Sequence, residues 1–167
     1  RTAFEIPAEW KALPRVLPAS AWGPWLFRED PADKGVAEGW FRPEREPAGW
    51  APIAVPAFWA ETDAGDYVGY GWYRTTFTLP ADWKGKPVRL LFGSVDEQAW
   101  VYVNGHLVRE HTAASEKAPI EALWETPFAA EVPADRLRDG APNVLAVRVH
   151  NARGNGGIWR PVLAAAP

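Results

Sequence analysis

Residues 101–108 read VYVNGHLV, and this stretch decides the fold class. Strand-forming residues at 101–103 and 106–108 flank the dipeptide Asn104-Gly105. Asn-Gly readily adopts the positive φ angles that a two-residue hairpin turn requires. The stretch therefore predicts two antiparallel strands joined by a tight hairpin.

The same strand pattern continues on both sides of this hairpin. In Asn143–Asn151, the side chains of Leu145, Val147 and Val149 alternate with Arg148, as expected for a strand with two different faces. Val88–Phe92 is a second clear strand. In total, the pattern predicts strands at about 71–79, 88–94, 98–103, 106–111, 125–131, 144–151 and 159–163.

Helix signals are weak by comparison. The chain has 17 Pro, no stretch keeps an apolar period of 3.6 residues, and only 8–13 and 134–138 favour a short helical turn. Many short strands separated by turns are typical of an all-β jelly-roll β-sandwich. The 167 residues fit one domain, 1–167, with 1–21 as an extended lead-in and 164–167 as the start of a linker.

Antiparallel succession of the strands predicts where the connections gather. The segments 79–87, 104–105 and 133–142 would share one end of the sandwich. The other end would receive the longer connections, at about 56–70, 94–97, 112–124 and 152–158. Functional residues of β-sandwiches often lie on loops at one end, so we expect a site at this loop-rich end.

Composition narrows the classes of function. The formal net charge is −3 and no Lys/Arg cluster stands out, which argues against nucleic acid as a partner. Cys is absent, which excludes disulfides and thiolate chemistry, and no apolar run approaches a membrane span. The chain opens on Arg1 and lacks Met, as expected of a piece excised from a larger protein.

The second half carries a set of motifs in a familiar order. It resembles the sugar-binding, galactose-binding-like jelly roll of family 2 glycoside hydrolases, which include β-galactosidases, β-glucuronidases and β-mannosidases. The resemblance covers about residues 67–163. The motifs are WYRTTFTLP at 72–80, FGSVDEQAWVYVNG at 92–105, PFAAEV at 127–132, NVLAVRV at 143–149 and GGIWRPV at 156–162.

This resemblance implies an accessory role rather than catalysis. In that family the catalytic carboxylates lie on a separate (β/α)₈ barrel, and such a barrel alone needs about 250 residues. The sequence departs from the family after Glu110-His111, where a short loop is replaced by the longer segment 112–126, which carries Trp124. The added length favours independent contact with a ligand.

The 11 Trp residues are the most informative excess in the composition. An indole offers a flat apolar face that fits the C–H face of a sugar, and polar side chains satisfy the hydroxyls. Most of these Trp must serve the core, and Trp72, Trp100 and Trp159 are interpreted as packing residues. The candidate sugar-binding residues at the loop-rich end are Trp124, Trp59, Tyr67, Tyr70, Asp96, His111 and Asn155.

A metal site has one candidate. Asp30 and Asp33 lie in a Gly-containing loop, and galactose-binding-like domains often hold a structural calcium. Calcium takes six to eight oxygen ligands, more than this segment offers. The alternative is that Asp30-Pro31 opens an ordinary turn.

Two functions follow from the sequence. The first is a non-catalytic carbohydrate-binding module that holds a parent glycoside hydrolase on a polysaccharide or oligosaccharide, with the catalytic domain of the same chain as its partner. The second is a scaffold domain of such an enzyme that binds no sugar by itself. A small lectin-like enzyme or lyase would need a catalytic cluster, and none stands out. A secreted or extracytoplasmic location and no required cofactor are expected.

Overall fold

A computed structural model describes residues 5, 7–12 and 15–166 of the chain. In this part of the chain, antiparallel strands build a four-stranded sheet that faces a six-stranded sheet, with a small two-stranded pair at one end. The predicted all-β sandwich is confirmed. The strands are β1 (Arg15–Val16), β2 (Leu26–Asp30), β3 (Ala51–Pro52), β4 (Gly69–Phe77), β5 (Val88–Phe92), β6 (Val95–Asp96), β7 (Gln98–Val103), β8 (His106–His111), β9 (Phe128–Val132), β10 (Asn143–Asn151), β11 (Gly157–Ile158) and β12 (Val162–Ala166).

The two large sheets have a simple strand order. The smaller one runs β1-β12-β5-β9, the larger one runs β3-β2-β4-β10-β7-β8, and β11 pairs with β6. Short helices occupy the connections. They are α1 (Ala8–Lys11), α2 (Ala113–Glu116) and α3 (Ile120–Leu123), with 3₁₀ turns at Ala19–Ala21, Trp59–Glu61, Ala81–Trp83 and Ala134–Arg136. None of the described helices is long and apolar enough to cross a membrane.

The hairpin predicted from Asn104-Gly105 is present. Both residues have positive φ angles, 49° and 86°, and Val103 pairs with His106 across the turn. The Asn104 side chain also accepts a hydrogen bond from the backbone N–H of Val144 at 2.8 Å. Because Val144 lies on the neighbouring strand β10, Asn104 fixes both the turn and the register of the sheet.

The core lies between the inner faces of the two sheets. Strand β10, which alternates as predicted, contributes the fully buried Leu145, Val147 and Val149. From the opposite sheet, Leu90 and Phe92 of β5 meet them in the same cluster. Burying an aliphatic side chain of this size stabilises a protein by about 1.5–3 kcal/mol, so this alternation carries much of the folding free energy.

Aromatic residues also cover the outer face of the six-stranded sheet. The segment between β2 and β3 folds back over it and packs Trp40 and Phe41 against Trp72 and Tyr102. Trp72 is fully buried, as its interpretation as a packing residue requires. Both faces of the central strand β4 are therefore covered.

The ends of the chain differ from expectation. Ala164, Ala165 and Ala166 lie in β12, which pairs with β5 and β1, so these residues belong to the sheet and do not start a linker. Ala164 and Ala166 are buried in the main core between the sheets, and Ala165 packs on the other face with Trp10 and Leu91. The lead-in is also structured in part, since Arg15–Val16 pairs with Ala165 and Ala166.

Other boundaries shift by a few residues. The helical turns predicted at 8–13 and 134–138 are Ala8–Lys11 and Ala134–Arg136, and Leu13 and Pro167 lie outside the described residues. The last predicted strand begins later, at Val162. Residues 159–161 instead lead from the loop-rich end into the sheet.

The loop-rich end is confirmed as well. Backbone hydrogen bonds join segment 56–68 to segment 152–158, from the N–H groups of Ala57 and Trp59 to the carbonyls of Ile158 and Gly156. Beside them, β6 pairs with β11. The long connections therefore form one continuous surface at a single end of the sandwich.

Tyr73 anchors this end to the sheet. It is fully buried on β4, and its hydroxyl accepts hydrogen bonds from the Trp59 indole N–H at 2.7 Å and from the Ile158 backbone N–H at 3.0 Å. Burial raises the pKa of the Tyr73 hydroxyl, which therefore stays neutral. One buried oxygen thus connects two loops to the central sheet.

Removing the Tyr73 hydroxyl is expected to lower the stability of the domain by more than the loss of a single oxygen atom indicates. Tyr73→Phe leaves two buried N–H donors without their acceptor, and the free energy of unfolding should fall by about 3 kcal/mol. Urea denaturation followed by Trp fluorescence measures this change. Val68→Ala, at an exposed position of the same loop, is the control and should change stability by less than about 0.5 kcal/mol. An equally small effect of Tyr73→Phe would contradict the anchoring role.

Candidate functional site

An open cleft of about 400 Å³ lies at the loop-rich end. Three of the four predicted long connections supply most of its lining, and segment 56–70 adds one aromatic side chain. The residues that line it are Phe58, Asp96, Glu97, Glu121, Trp124, Arg153, Gly154 and Asn155. Of the predicted sugar-binding residues, the structure therefore brings Trp124, Asp96 and Asn155 together.

A stack of three aromatic rings forms one wall of the cleft. Trp159 lies in the middle, with Phe58 on one side at 4.6 Å between ring centroids and Trp124 on the other at 5.3 Å. The planes are nearly parallel, at 10° and 24°. Trp159 is thus a packing residue, as expected, and Trp124 ends the stack with 38% of its surface exposed.

The unusual segment 112–126 is an ordered support for Trp124. It begins with a capping box, in which the Thr112 side chain accepts from the Ser115 N–H and the Ser115 hydroxyl accepts from the Thr112 N–H. It continues into α3, whose Leu123 is buried directly before Trp124. The indole N–H of Trp159 then donates to the Trp124 carbonyl at 2.6 Å. Trp124 is therefore held in place from both sides.

Two adjacent carboxylates form the floor. One Asp96 oxygen accepts from the Gly156 N–H at 3.0 Å, and one Glu97 oxygen accepts from the N–H groups of Ala152 and Arg153 at 3.0 and 3.2 Å. These bonds close the turn at 152–156 onto the floor. Burial, reinforced by the negative charge of Glu97, raises the pKa of Asp96 to about 6.

Two predicted residues do not reach the cleft. Trp59 is fully buried under the loops, where its ring packs against Phe27 and its N–H is taken by Tyr73. His111 is also fully buried, stacked on Phe128 with its Nδ1 3.2 Å from Glu116. The prediction that these two contact a ligand is wrong, because neither exposes any surface.

Tyr67 and Tyr70 have structural partners instead of facing the cleft. The Tyr67 hydroxyl donates to the Tyr70 carbonyl at 2.6 Å, and its ring packs against Trp59. Tyr70 lies 4.0 Å from the Arg148 guanidinium and 4.4 Å from the His150 ring on the outer face of the six-stranded sheet. Neither residue lines the cleft, which corrects their predicted place in one site.

Asp30 and Asp33 do not converge as metal ligands. Both Asp30 oxygens accept hydrogen bonds, Oδ1 from Lys34 N–H and Oδ2 from Gly35 N–H and the Trp72 indole. Asp33 pairs with Arg148 at 2.6 Å. In the described part of the chain, no three His, Cys, Asp or Glu residues form a metal-binding group. The hydrogen bonds of Asp30 to Lys34 and Gly35 are those of a residue that closes a turn.

Five residues of the cleft were not among the predicted site residues: Phe58, Glu97, Glu121, Arg153 and Gly154. All lie in or beside loops that were assigned to this end. Phe58 precedes the more conspicuous Trp59, and Phe58 lines the cleft instead because Trp59 turns into the core. Only the three-dimensional arrangement separates these neighbours.

A second cleft, of about 310 Å³, lies beside strands β2 and β3. Its polar lining includes Arg28, Glu29 and Asp63, but no aromatic ring except Phe27. Phe27 itself is buried. This cleft therefore offers no exposed aromatic platform, unlike the one at Trp124.

Comparison with known proteins identifies the family. The sequence model described as "Beta-galactosidase second all-beta domain" matches residues 37–155, well over half of the chain. The chain belongs to this family. The match includes the whole of the segment 112–126 and most of the cleft, so this all-β accessory domain of the glycoside hydrolase 2 type carries the cleft within the family fold.

Similar proteins are much longer than this accessory domain. A β-glucuronidase from Paenibacillus borealis is 36% identical over 93 residues, which are 53% of this chain and 15% of that protein. A β-galactosidase from Bacteroides ovatus is 30% identical over 166 residues, 95% of this chain and 16% of that protein. A solved β-glucuronidase from Ruminococcus gnavus superposes with a TM-score of 0.70 at 25% identity, over 91% of this chain and 28% of that one.

The raised pKa of Asp96 makes a prediction about stability. A carboxyl whose pKa is higher in the folded state stabilises the fold at low pH, and this contribution is lost as the pH rises through about 6. Asp96→Asn keeps an oxygen for the Gly156 N–H but carries no charge. The variant should therefore be more stable than the parent above pH 7, by about 1 kcal/mol, and should lose this advantage towards pH 4.

Urea midpoints between pH 4 and pH 8 test this expectation. Asp63→Asn, at an exposed position on the same end, is the matched control and should follow the parent curve. A difference in urea midpoint between Asp96→Asn and the parent that stays constant from pH 4 to pH 8 would show that burial does not shift the pKa of Asp96.

Proposed function

We propose that this domain is a non-catalytic carbohydrate-binding module of a larger family 2 glycosidase, and that the cleft beside Trp124 is its sugar site. The observation that carries the proposal is the exposed end of the Phe58–Trp159–Trp124 stack over a cleft with polar groups. Sugars bind to such sites through a C–H face against an indole and hydroxyls on polar side chains.

The polar groups of the cleft complement this platform. Asp96, Glu97 and Glu121 offer acceptor oxygens, and Asn155 and Arg153 offer donors. The volume of about 400 Å³ falls in the range of small-ligand sites. A cleft open to solvent suits one or two sugar rings of a longer chain.

The hydrogen bonds that the carboxylates accept also agree with a binding role rather than a catalytic one. A carboxyl with a raised pKa in a cleft is a common feature of general acids. Here, however, Asp96 and Glu97 accept backbone hydrogen bonds that close the turn at 152–156. Both are therefore interpreted as structural acceptors that also face the ligand.

The second candidate is a scaffold domain without independent sugar binding. It is favoured by the relatives, in which the matching region is 11–16% of a whole glycosidase. In such a role the cleft end would abut another domain of the same chain. Both candidates place the domain in a larger sugar-processing enzyme, and direct binding to a glycan separates them.

Affinity electrophoresis of the 167-residue chain through gels that contain soluble polysaccharides tests the proposal. We expect at least one neutral polysaccharide, from a panel of galactan, xylan, mannan and mixed-linkage β-glucan, to retard the domain. Trp124→Ala should weaken this binding about tenfold, since one stacking platform is removed. Trp124→Phe should retain most of it.

Leu107→Ala is the matched control, because Leu107 is exposed beside the hairpin at the opposite end. It should migrate as the parent does. Retardation by no polysaccharide would favour the scaffold candidate. Retardation that survives Trp124→Ala would place the sugar site elsewhere on the domain.

A further inference from the structure

The cleft carries an excess of negative charge. Three carboxylates line it, those of Asp96, Glu97 and Glu121, and one guanidinium, that of Arg153. With all four ionised, the lining has a formal charge of −2. This excess is concentrated in the cleft, because the whole chain carries only −3.

The position of these charges makes them effective. Asp96 and Glu97 are buried at the floor, where solvent screens a charge less than at an open surface. Their hydrogen bonds come from backbone N–H groups, which stabilise the carboxylates but do not neutralise them. Glu121 lies on α3, about one turn before Trp124, on the opposite side of the cleft. A ring stacked on Trp124 would therefore lie among carboxylates.

Such a site discriminates between sugars that differ only at C6. A hexose presents a neutral hydroxymethyl group there, and a uronic acid presents a carboxylate. Like charges in close proximity disfavour binding, while hydroxyls donate to carboxylate oxygens. Within the lining, Arg153 supplies one opposing charge, and it lies on an exposed turn where screening is strong. A second cation, Arg160, lies behind the aromatic wall, 4.1 Å from the Trp159 ring, where it donates to Ser94 and to the Glu125 carbonyl.

We infer that the cleft is selective for neutral glycans and rejects uronic acids, so that this domain recognises a galactoside- or glucoside-type chain rather than a glucuronide. The inference rests on the proposed sugar-binding function. It bears on the relatives as well, since they include both β-galactosidases and β-glucuronidases.

The selectivity should depend on pH. Asp96 shares the cleft with Glu97, Glu121 and Arg153. Beside the cleft, the Arg160 guanidinium donates to the Ser94 hydroxyl, two residues before Asp96, and stacks on Trp159. Since the pKa of Asp96 is raised to about 6, protonation removes one negative charge from the floor between pH 7.5 and pH 5. A uronic acid stays ionised over this range because ordinary carboxyl groups titrate near pH 4. Rejection of uronates should therefore weaken at pH 5.

The test uses two pairs of small ligands that differ only at C6. They are methyl β-D-galactopyranoside with methyl β-D-galactopyranosiduronate, and methyl β-D-glucopyranoside with methyl β-D-glucopyranosiduronate. Titrations of the ¹⁵N-labelled 167-residue chain are followed by NMR at pH 7.5 and low salt. We expect at least one neutral glycoside to bind, and its uronate to bind about tenfold more weakly.

Two variants connect the discrimination to the cleft. Glu121→Gln, at an exposed position, should narrow the difference about threefold, because it removes one carboxylate charge from the cleft while Gln keeps an oxygen that accepts from a sugar hydroxyl. Asp96→Asn should remove the change in uronate binding between pH 7.5 and pH 5. Glu131→Gln, which removes an exposed carboxylate from the four-stranded sheet, is the control and should leave the ratio unchanged. Added salt at 0.5 M should also narrow the difference.

The outcomes separate the inference from the function on which it rests. Equal or tighter binding of a uronate overturns the selectivity but leaves a sugar-binding domain. Discrimination that Glu121→Gln and Asp96→Asn both leave unchanged also overturns it, because the rejection would then come from elsewhere. If no glycoside binds and no polysaccharide retards the domain in gels, the sugar-binding function and the selectivity fail together.

Discussion

The Tyr73 hydroxyl is the interaction on which the functional end depends. It lies on the central strand β4 and accepts from two donors, the Trp59 indole on one loop and the Ile158 backbone on another. The first loop has only the 3₁₀ turn Trp59–Glu61, and the second only the two-residue strand β11. This shared, fully buried oxygen fixes the position of both loops relative to the sheet. Phe58 and the turn at 152–156, which both line the cleft, follow from that constraint.

In two segments of the cleft, one residue is buried in the core and its neighbour in the chain is exposed to the cleft. Trp59 enters the core and anchors its loop, which places Phe58 at the surface against Trp159. In the same way, buried Leu123 precedes exposed Trp124. Asp96 and Glu97 use their carboxylates to hold the opposite turn while they face the cleft. Each of the aromatic rings Phe58 and Trp124 thus has a buried neighbour in the chain that holds its segment against the core.

The electrostatics of the domain follow from the same arrangement. Carboxylates at the floor are required to receive the N–H groups of a tight turn, and this requirement also charges the cleft. Elsewhere, Asp33 pairs with Arg148. Buried Asp30 resembles the carboxylates of the cleft, because it accepts from backbone N–H groups of its own loop and from the Trp72 indole. An aromatic wall beside an acidic floor is thus the chemical signature of this end.

The sequence alone determined the sandwich, the Asn104-Gly105 hairpin, the family resemblance and the end at which the long loops meet. These features depend on the alternation of apolar and polar residues within strands, on the turn-forming Asn-Gly pair and on the order of the strands along the chain. The first two are local, and the third follows from the sequence order. Only the tertiary structure decided which aromatic residues are exposed. Trp59 and Tyr67 lie on the expected loop and His111 ends β8, yet contacts with other residues turn them inward or to other partners. Phe58, Glu97 and Arg153 entered the site for the same reason, because burial is set by long-range packing rather than by residue type.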